Sequence, residues 1–211
     1  MFAKLVRSKS CPARYLKVTK QNKNSPKNDD EKQQRTLTDC WEYIICNHNT
    51  IRLKNHRKKE WISCFGTLIV TKGQYKRWQI KILPINKGKK GGIAKVMIGV
   101  CSIESLRDSE RGNALNSEFW KGPYFGYAFD GEKGKKYHNS SVGIQYSNKY
   151  RIGDTITVEL NRTSNRYIMH NDLKFYTNEK VNGQAFTVDH ERNYVLAVGI
   201  CSDKYDIQIS N

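Results

Sequence analysis

The chain has 211 residues, of which 37% are hydrophobic and 11% aromatic, enough for one sizeable domain with an additional tail or for at most two small domains. Its formal net charge of +17 favours an acidic partner, whether nucleic acid, anionic lipid or an acidic protein surface. The apolar runs are far shorter than the ~20 residues of a membrane span, and no stretch near Met1 resembles a secretory signal, so we expect an intracellular protein, cytoplasmic or nuclear.

Residues 1–40 are predicted to form a basic, largely disordered extension. They carry ten Lys/Arg and four Asp/Glu, and segment 17–34 has almost no hydrophobic side chain to bury. The first 28 residues contain no acidic residue, which leaves three interpretations open. They are a solvated basic arm, an organelle import peptide or a segment that docks on an acidic surface.

Residues 41–211 are predicted to form one domain of short β-strands. Apolar and polar residues alternate with period two in segments 77–83, 155–160 and 206–210, which is typical of strands with one buried face. Segments 95–101 and 194–200 are apolar on both faces, so we expect them near the middle of a sheet.

Helix is expected to contribute little. The best helical candidate, 104–117, is predicted to be a loop or a single turn, and turn signals rich in Gly, Asn, Asp and Lys separate the strand-like segments. About a dozen short strands at this spacing predict an all-β fold, an antiparallel two-sheet sandwich.

Segment 125–139 combines an aromatic strand with a polar loop. Phe125, Tyr127 and Phe129 alternate along the chain, so we expect their rings between the sheets. Gly126 is predicted to allow a neighbouring backbone to approach closely. The following loop is expected to carry lysines to the surface.

The sequence contains no arrangement of residues that is typical of an enzyme. No serine lies in a G-x-S-x-G motif, the Gly/Lys-rich segments lack the P-loop pattern, and the six cysteines match no zinc framework. His138 is expected to be structural, and the Asp-His-Glu triplet 189–191 is expected to be a solvated cluster. We therefore predict no enzymatic activity, no cofactor and no metal site.

Six motifs occur in one order along the chain: "RWQIKI", "IGV", "FGYAFDGEKGKKYHN", "YSNKYRIGDTITVEL", "LKFYTNEKVNGQAF" and "YVLAVGI". In this order the chain resembles the SPRY domain family over about residues 41–211. The residues that carry the resemblance are Trp78, Gly126, Tyr127, Lys136 to Asn139, Gly153, Asp154, Phe175, Asn178, Gly183, Ala185 and Phe186.

The resemblance implies a fold and a function. The fold is a bent β-sandwich of the concanavalin-like jelly-roll type, and the function is that of a non-enzymatic adaptor or scaffold. Such a module recognises a partner protein or short peptide through loops at one end of the sandwich. This chain departs from the family at Glu179, where a glycine is usual, and in two apparent insertions, 86–95 and 163–171.

Carried over by position, the resemblance also implies contact residues for the partner. They are His56 and Arg57 in an early basic loop, Leu106 to Trp120 in the mid-domain loop, and Cys201, Ser202 and Lys204 in the last turn. Trp120 and Tyr124 are aromatic candidates for binding anchors, although packing of Trp120 beneath its loop is an equal alternative.

The last turn departs from the family as well. The best-known peptide-binding members carry a Trp-Gly pair there, whereas this chain has Cys201 and Ser202. The resemblance therefore does not predict their specificity for asparagine-rich motifs.

A basic surface is the alternative binding site. The lysines expected to form it are Lys87, Lys89, Lys90, Lys133, Lys135 and Lys136. Its partner would be RNA or an acidic protein assembly such as a cytoskeletal polymer. A complex held by phosphates weakens steeply with salt, whereas a peptide seated in a pocket weakens only modestly.

Overall fold

The computed structural model describes residues 43–47, 50–53, 61–66, 68–85, 91–109, 118–122, 126–164, 168–202 and 204–210. The extension 1–40 lies outside these residues, so its predicted disorder stays a prediction. The strands within them are β1 (Tyr43–Asn47), β2 (Thr50–Leu53), β3 (Ile62–Phe65), β4 (Tyr75–Pro84), β5 (Val96–Ser102), β6 (Tyr127–Asp130), β7 (Lys135–His138), β8 (Ile144–Gln145), β9 (Thr155–Asn161), β10 (Asp172–Thr177), β11 (Lys180–Thr187), β12 (Tyr194–Ile200) and β13 (Tyr205–Ser210). One helix, α1 (Ile103–Ser109), follows β5.

The strands form two antiparallel sheets. The seven-stranded sheet has the order β1-β2-β13-β4-β9-β10-β11, and the six-stranded sheet has the order β3-β12-β5-β6-β7-β8. A shared hydrophobic core draws side chains from both sheets. The structure therefore confirms the predicted all-β sandwich.

Period-two alternation decides which side chains enter the core. In β4, Trp78 is 2% exposed and Ile80 and Ile82 are fully buried, whereas the residues between them are exposed. Trp78 is paired with Val158 of β9, which is paired in turn with Phe175 of β10. These inward residues stack across three strands, and burying each large apolar side chain contributes about 1.5–3 kcal/mol.

Strands β5 and β12 are buried on both faces, as their sequences predict. They lie side by side within the six-stranded sheet, and every residue of both is buried. The outer face of this sheet is covered by a second apolar cluster, named here the outer cluster. Its buried members are Met97, Cys101, Phe119, Trp120, Ala128, Tyr137 and Ala197, and the half-buried Trp61, Phe65 and Leu106 pack against them.

Helix α1 is longer than the single turn that the sequence predicts. It spans seven residues, and Ser102 caps its beginning because the Ser102 hydroxyl accepts a hydrogen bond from the Ser105 N–H at 3.3 Å. Glu104 in the first turn accepts hydrogen bonds from the backbone and side chain of Asn193, at 3.1 and 2.9 Å. These bonds join the helix to the chain before β12.

Two family-signature residues, Asp154 and Asn178, hold adjacent turns together. The Asn178 side chain accepts a hydrogen bond from the Thr155 N–H at 2.9 Å and donates one to the Asp154 carboxylate at 2.8 Å. Asn178 and Glu179 have φ of 49° and 67°, so both central residues of the β10–β11 hairpin lie in the left-handed region. Glycine is the usual residue at the second position, which explains why Glu179 is a departure with a structural cost.

The predicted roles of segment 126–139 are largely confirmed. Tyr127 and Phe129 are buried in the main core, and Ala128, which points to the other face, belongs to the outer cluster. A Cβ on Gly126 would lie 2.7 Å from the Phe119 carbonyl carbon, so the close backbone approach is also found. Phe125 lies outside the described residues.

Three further signature residues lie in the edge strand β11, and one lies in the turn before β9. Ala185 is 3% exposed and Phe186 packs against the main core. Gly183 has a φ of 88°, and its carbonyl accepts a hydrogen bond from the Tyr146 hydroxyl at 2.7 Å. Gly153, with a φ of 106°, occupies the turn before β9.

Candidate partner-binding site

The strand pairings sort the connecting segments into two ends. Because neighbouring strands are antiparallel, every odd-numbered strand begins at the same edge of the sandwich, and every even-numbered strand ends there. This edge is named here the Ser202 end. The opposite edge is named the Ser140 end. Segments 54–61, 85–95, 131–134, 146–154, 178–179 and 201–204 connect strands at the Ser202 end. Segments 48–49, 66–74, 103–126, 139–143, 162–171 and 188–193 connect them at the Ser140 end.

Backbone hydrogen bonds tie the Ser202-end segments to one another. The N–H of Ile152 donates to the carbonyl of Gly92 at 2.8 Å, and the N–H of Ser147 donates to Gly134 at 3.0 Å. The N–H of Cys201 donates to Lys95 at 3.3 Å. Four connections from both sheets therefore form one linked surface, whose backbone is held in place before any partner arrives.

An aromatic corner borders this surface. Trp61 precedes β3 and meets Trp120 edge to face, with ring centroids 5.0 Å apart, and Phe119 meets the same indole at 5.2 Å. A Cβ on Gly199 would lie 2.8 Å from Trp120, so the indole rests on β12 close to Cys201. Trp120 therefore lies on the outer face of the six-stranded sheet, next to the Ser202 end.

The structure favours the packing interpretation of Trp120. Its side chain is 3% exposed, so the ring supports the corner and offers little area to a partner. Trp61 is half-buried and is the aromatic side chain of the corner with exposed area. His56 and Arg57 were predicted from the same segment, and Trp61 was not, although an aromatic residue directly after a basic run was a usable signal.

The other predicted contact residues fall into three groups. Cys201 and Ser202 are half-buried and Lys204 is exposed, and the Ser202 hydroxyl accepts a hydrogen bond from the Lys204 N–H at 3.3 Å. Leu106 is half-buried against the outer cluster. His56, Arg57 and Tyr124 lie outside the described residues.

The predicted basic surface is only partly present. Lys133 is exposed and Lys135 is half-buried, whereas Lys87, Lys89 and Lys90 lie outside the described residues. Lys136 differs from the prediction because its ammonium donates to the Ala185 carbonyl at 2.6 Å and lies 5.2 Å from the centre of the Phe186 ring. This lysine joins β7 to β11.

His138 has a structural environment. Its ring stacks on Tyr127 with centroids 3.9 Å apart, and Nδ1 lies 3.1 Å from the Gly126 carbonyl oxygen. Burial lowers the pKa of His138, since desolvation penalises the charged ring more than the carbonyl favours it.

The Asp-His-Glu triplet lies at the Ser140 end. Hydrogen bonds from the Glu191 N–H and the Arg192 side chain, at 3.0 and 3.1 Å, hold the pKa of Asp189 below its ordinary value. His190 and Glu191 are exposed side chains whose Nε2 and Oε1 atoms lie 2.7 Å apart. The triplet is therefore a local surface cluster.

Three further features concern the kinds of site that the described part of the chain offers. In the described ranges, no group of three or more His, Cys, Asp or Glu side chains could hold a metal ion. Within the same ranges, no helix has the length and apolar character needed to cross a membrane. A depression of about 250 Å³, lined by Leu68, Ile69, Val70, Gln74, Tyr75 and Lys76, lies between β3 and β4, away from the Ser202 end.

Comparisons with known proteins agree with this architecture. The family model of the SPRY domain matches residues 76–209. A crystal structure of a human SPRY domain is similar with a TM-score of 0.53 and 16% identity, covering 80% of this chain and 94% of that one. The SPRY domain of human HERC1 gives 0.52 and 18%, with coverage of 80% and 92%. The PSpry domain of TRIM65 gives 0.54 and 11%, with coverage of 85% and 98%. A comparison with curated proteins produced no significant match.

Proposed function

Since this chain belongs to the SPRY domain family, whose members are protein-interaction modules, we propose that it is a non-enzymatic adaptor or scaffold. It recognises a partner protein or a short peptide through the Ser202 end. The observation that carries this proposal is the convergence there of hydrogen-bonded connections from both sheets, beside the half-buried Trp61.

The geometry suits binding because the surface is ordered in advance. Connections that are already fixed by backbone hydrogen bonds lose little conformational entropy when a partner docks. A tryptophan supported by a second tryptophan loses little side-chain freedom, and partly exposed aromatic residues are frequent anchors in protein interfaces. The Cys201 and Ser202 turn lies next to this anchor, where a bound segment would pass.

A pair of serine substitutions tests the proposal. Ser202 and Ser140 are both half-buried, and each hydroxyl accepts a hydrogen bond from the N–H two residues later, at opposite ends of the sandwich. We expect Ser202→Tyr to block partner binding by steric bulk and Ser140→Tyr to leave binding unchanged. The measurement is affinity capture with the full-length chain, followed by quantitative mass spectrometry.

The two variants share the chemical change and differ in the end that receives it. Proteins captured by the wild type and by Ser140→Tyr, but lost with Ser202→Tyr, would support the proposal. Retention of every partner by Ser202→Tyr, with its melting temperature unchanged, would show that binding occurs elsewhere on the domain.

A further inference from the structure

The depression between β3 and β4 lies at the Ser140 end, apart from the proposed binding surface. It has a volume of about 250 Å³ and is named here the Leu68 depression. Four of its six lining residues are apolar or aromatic: Leu68, Ile69, Val70 and Tyr75. Leu68 and Tyr75 are 43% and 51% exposed, so apolar surface is offered here to another molecule.

Backbone hydrogen bonds hold the walls of the Leu68 depression in place. Val70 exchanges two of them with Tyr194 of β12, at 2.7 and 3.1 Å. The N–H of Gly73 donates to the Arg162 carbonyl at 2.8 Å, and the N–H of Arg162 donates to the Gln74 carbonyl at 2.9 Å. The depression therefore exists before a ligand arrives, and little conformational entropy is lost when one docks.

The aromatic wall of the depression is also fixed. The Tyr75 hydroxyl donates to the Glu159 carboxylate at 3.0 Å, and the same oxygen accepts a hydrogen bond from Tyr176 at 2.9 Å. Tyr75 is thus half exposed and yet held in one orientation. An aromatic ring with these two properties is typical of the residues that dominate binding energies in protein interfaces.

The size of the depression limits what it can hold. Pockets for drug-sized ligands have volumes of about 300–1,000 Å³, and they enclose most of the ligand. At about 250 Å³, the Leu68 depression has room for one large side chain and not for a nucleotide or a cofactor. A single apolar side chain that fills a preformed hollow is the usual anchor of a peptide on a protein surface.

One cation lines the depression beside the apolar residues. Lys76 is half-buried, and among the described residues no carboxylate forms an ion pair with it. Its ammonium can balance one carboxylate next to an apolar anchor. A phosphate monoester, with a charge of about −1.5 to −2, would keep excess negative charge against apolar walls, where desolvation is costly.

We propose that the Leu68 depression is a second protein-docking site, which takes one large aliphatic or aromatic side chain of a peptide segment flanked by Asp or Glu. This inference goes beyond the proposed function because the depression lies at the opposite end from Ser202. A domain with a docking site at each end joins two protein segments, as a scaffold does. Ser140, used above as a control, lies between β7 and β8, at the opposite edge of the six-stranded sheet from β3.

Short peptides test the proposal with the full-length chain. The probe is the acetylated hexapeptide Ser-Gly-Leu-Asp-Gly-Ser, and its two companions have Ala in place of Leu or Asn in place of Asp. Amide chemical shifts of the nitrogen-15-labelled protein give the Kd and the site. One anchor gives weak affinity, so the titration extends to millimolar peptide. We expect the Leu-Asp peptide to shift the amides of Leu68, Gln74 and Lys76.

The anchor and the charge are tested separately. Each buried methylene changes Kd by about fourfold, so the Ala peptide should bind at least about tenfold more weakly than the Leu peptide. Leu68→Ala should weaken binding at least about fourfold, whereas Val142→Ala, at a 75% exposed position outside the depression, should change it by less than about twofold. Lys76→Gln should weaken the Asp peptide about two- to threefold and leave the Asn peptide unchanged. Lys72→Gln, at an exposed lysine that does not line the depression, should have little effect on either peptide.

Several results would overturn the inference. They are equal binding of the Leu and Ala peptides, amide shifts confined to other parts of the domain, or equal effects of Leu68→Ala and Val142→Ala. Shifts at the depression that depend on protein concentration alone would identify a second copy of the chain as its occupant. Tighter binding of hexanoate than of the Leu-Asp peptide would make it a site for small carboxylic acids.

The outcome is independent of the proposed function. Ser202→Tyr should bind the Leu-Asp peptide with the Kd of the wild type, because the substitution is at the other end of the sandwich. Loss of peptide binding in this variant, with its melting temperature unchanged, would place the peptide at the Ser202 end and refute the second site alone.

Discussion

Replacement of Gly126 by alanine tests the packing that builds the aromatic corner. The added Cβ would lie 2.7 Å from the carbonyl carbon and 2.9 Å from the ring of Phe119, and closer still to the carbonyl oxygen. Carbon atoms in contact are normally about 3.5–4.0 Å apart, so the backbone has to move by roughly 1 Å. Such overpacking costs about 3 kcal/mol, of which the lower entropy of the unfolded chain offsets about 0.4–1 kcal/mol.

The sign of the change in stability shows whether Gly126 and Phe119 are in close contact. Gly126 is not among the glycines with positive φ, so without the clash Gly126→Ala would stabilise the protein slightly. We expect a net loss of about 2 kcal/mol in the free energy of unfolding, measured by urea denaturation. Because Phe119 packs on Trp120, we also expect tryptophan fluorescence of the native state to change.

A second glycine provides the control. Gly73 has a φ of 84°, and a Cβ there would meet nothing within 4 Å. Gly73→Ala should therefore cost only the left-handed backbone strain of about 1 kcal/mol, with no change in fluorescence. Equal or higher stability of Gly126→Ala relative to wild type would refute the close approach of the two segments.

Two further predictions concern the hairpin and the buried histidine. Glu179→Gly should raise the free energy of unfolding by about 1 kcal/mol, because Glu179 has a φ of 67°. Lys180→Gly, at the first residue of β11, should lower the free energy of unfolding instead. A lower urea midpoint for Glu179→Gly than for the wild type would contradict this explanation. Burial lowers the pKa of His138 below its ordinary value of 6.5, because the folded state disfavours the protonated ring. The resulting stability is fully present above pH 6.5 and is lost as the pH falls through the lowered pKa. The wild type should therefore lose more melting temperature than His138→Gln between about pH 7 and about pH 5, and parallel profiles would exclude His138 as the cause.

The regular part of the fold could be read from the sequence because alternation is a local property. The pattern in 77–83 predicted a strand with one buried face, and the structure buries Trp78, Ile80 and Ile82 on that face. The two doubly apolar segments were correctly expected near the middle of a sheet. The length of α1 was underestimated, because its hydrogen bonds to Asn193 come from a segment almost ninety residues away.

The candidate site was less predictable. Trp120 was proposed as an anchor or as a packing residue with equal weight, and its burial follows from the way its segment crosses β12 and meets Trp61. Lys136 was expected at the surface, yet its ammonium is held by the Ala185 carbonyl, a partner forty-nine residues away. Neither contact can be predicted from the local sequence pattern, because each joins residues far apart in the chain.

The sequence by itself determined the strands, their buried faces and the family motifs, since each depends on residues a few positions apart. The tertiary structure decided which connections share an end, which aromatic ring is covered and which lysines remain exposed. Those properties depend on pairings such as Asp206 with Arg52, between segments far apart in the chain, and on hydrogen bonds between turns of different sheets.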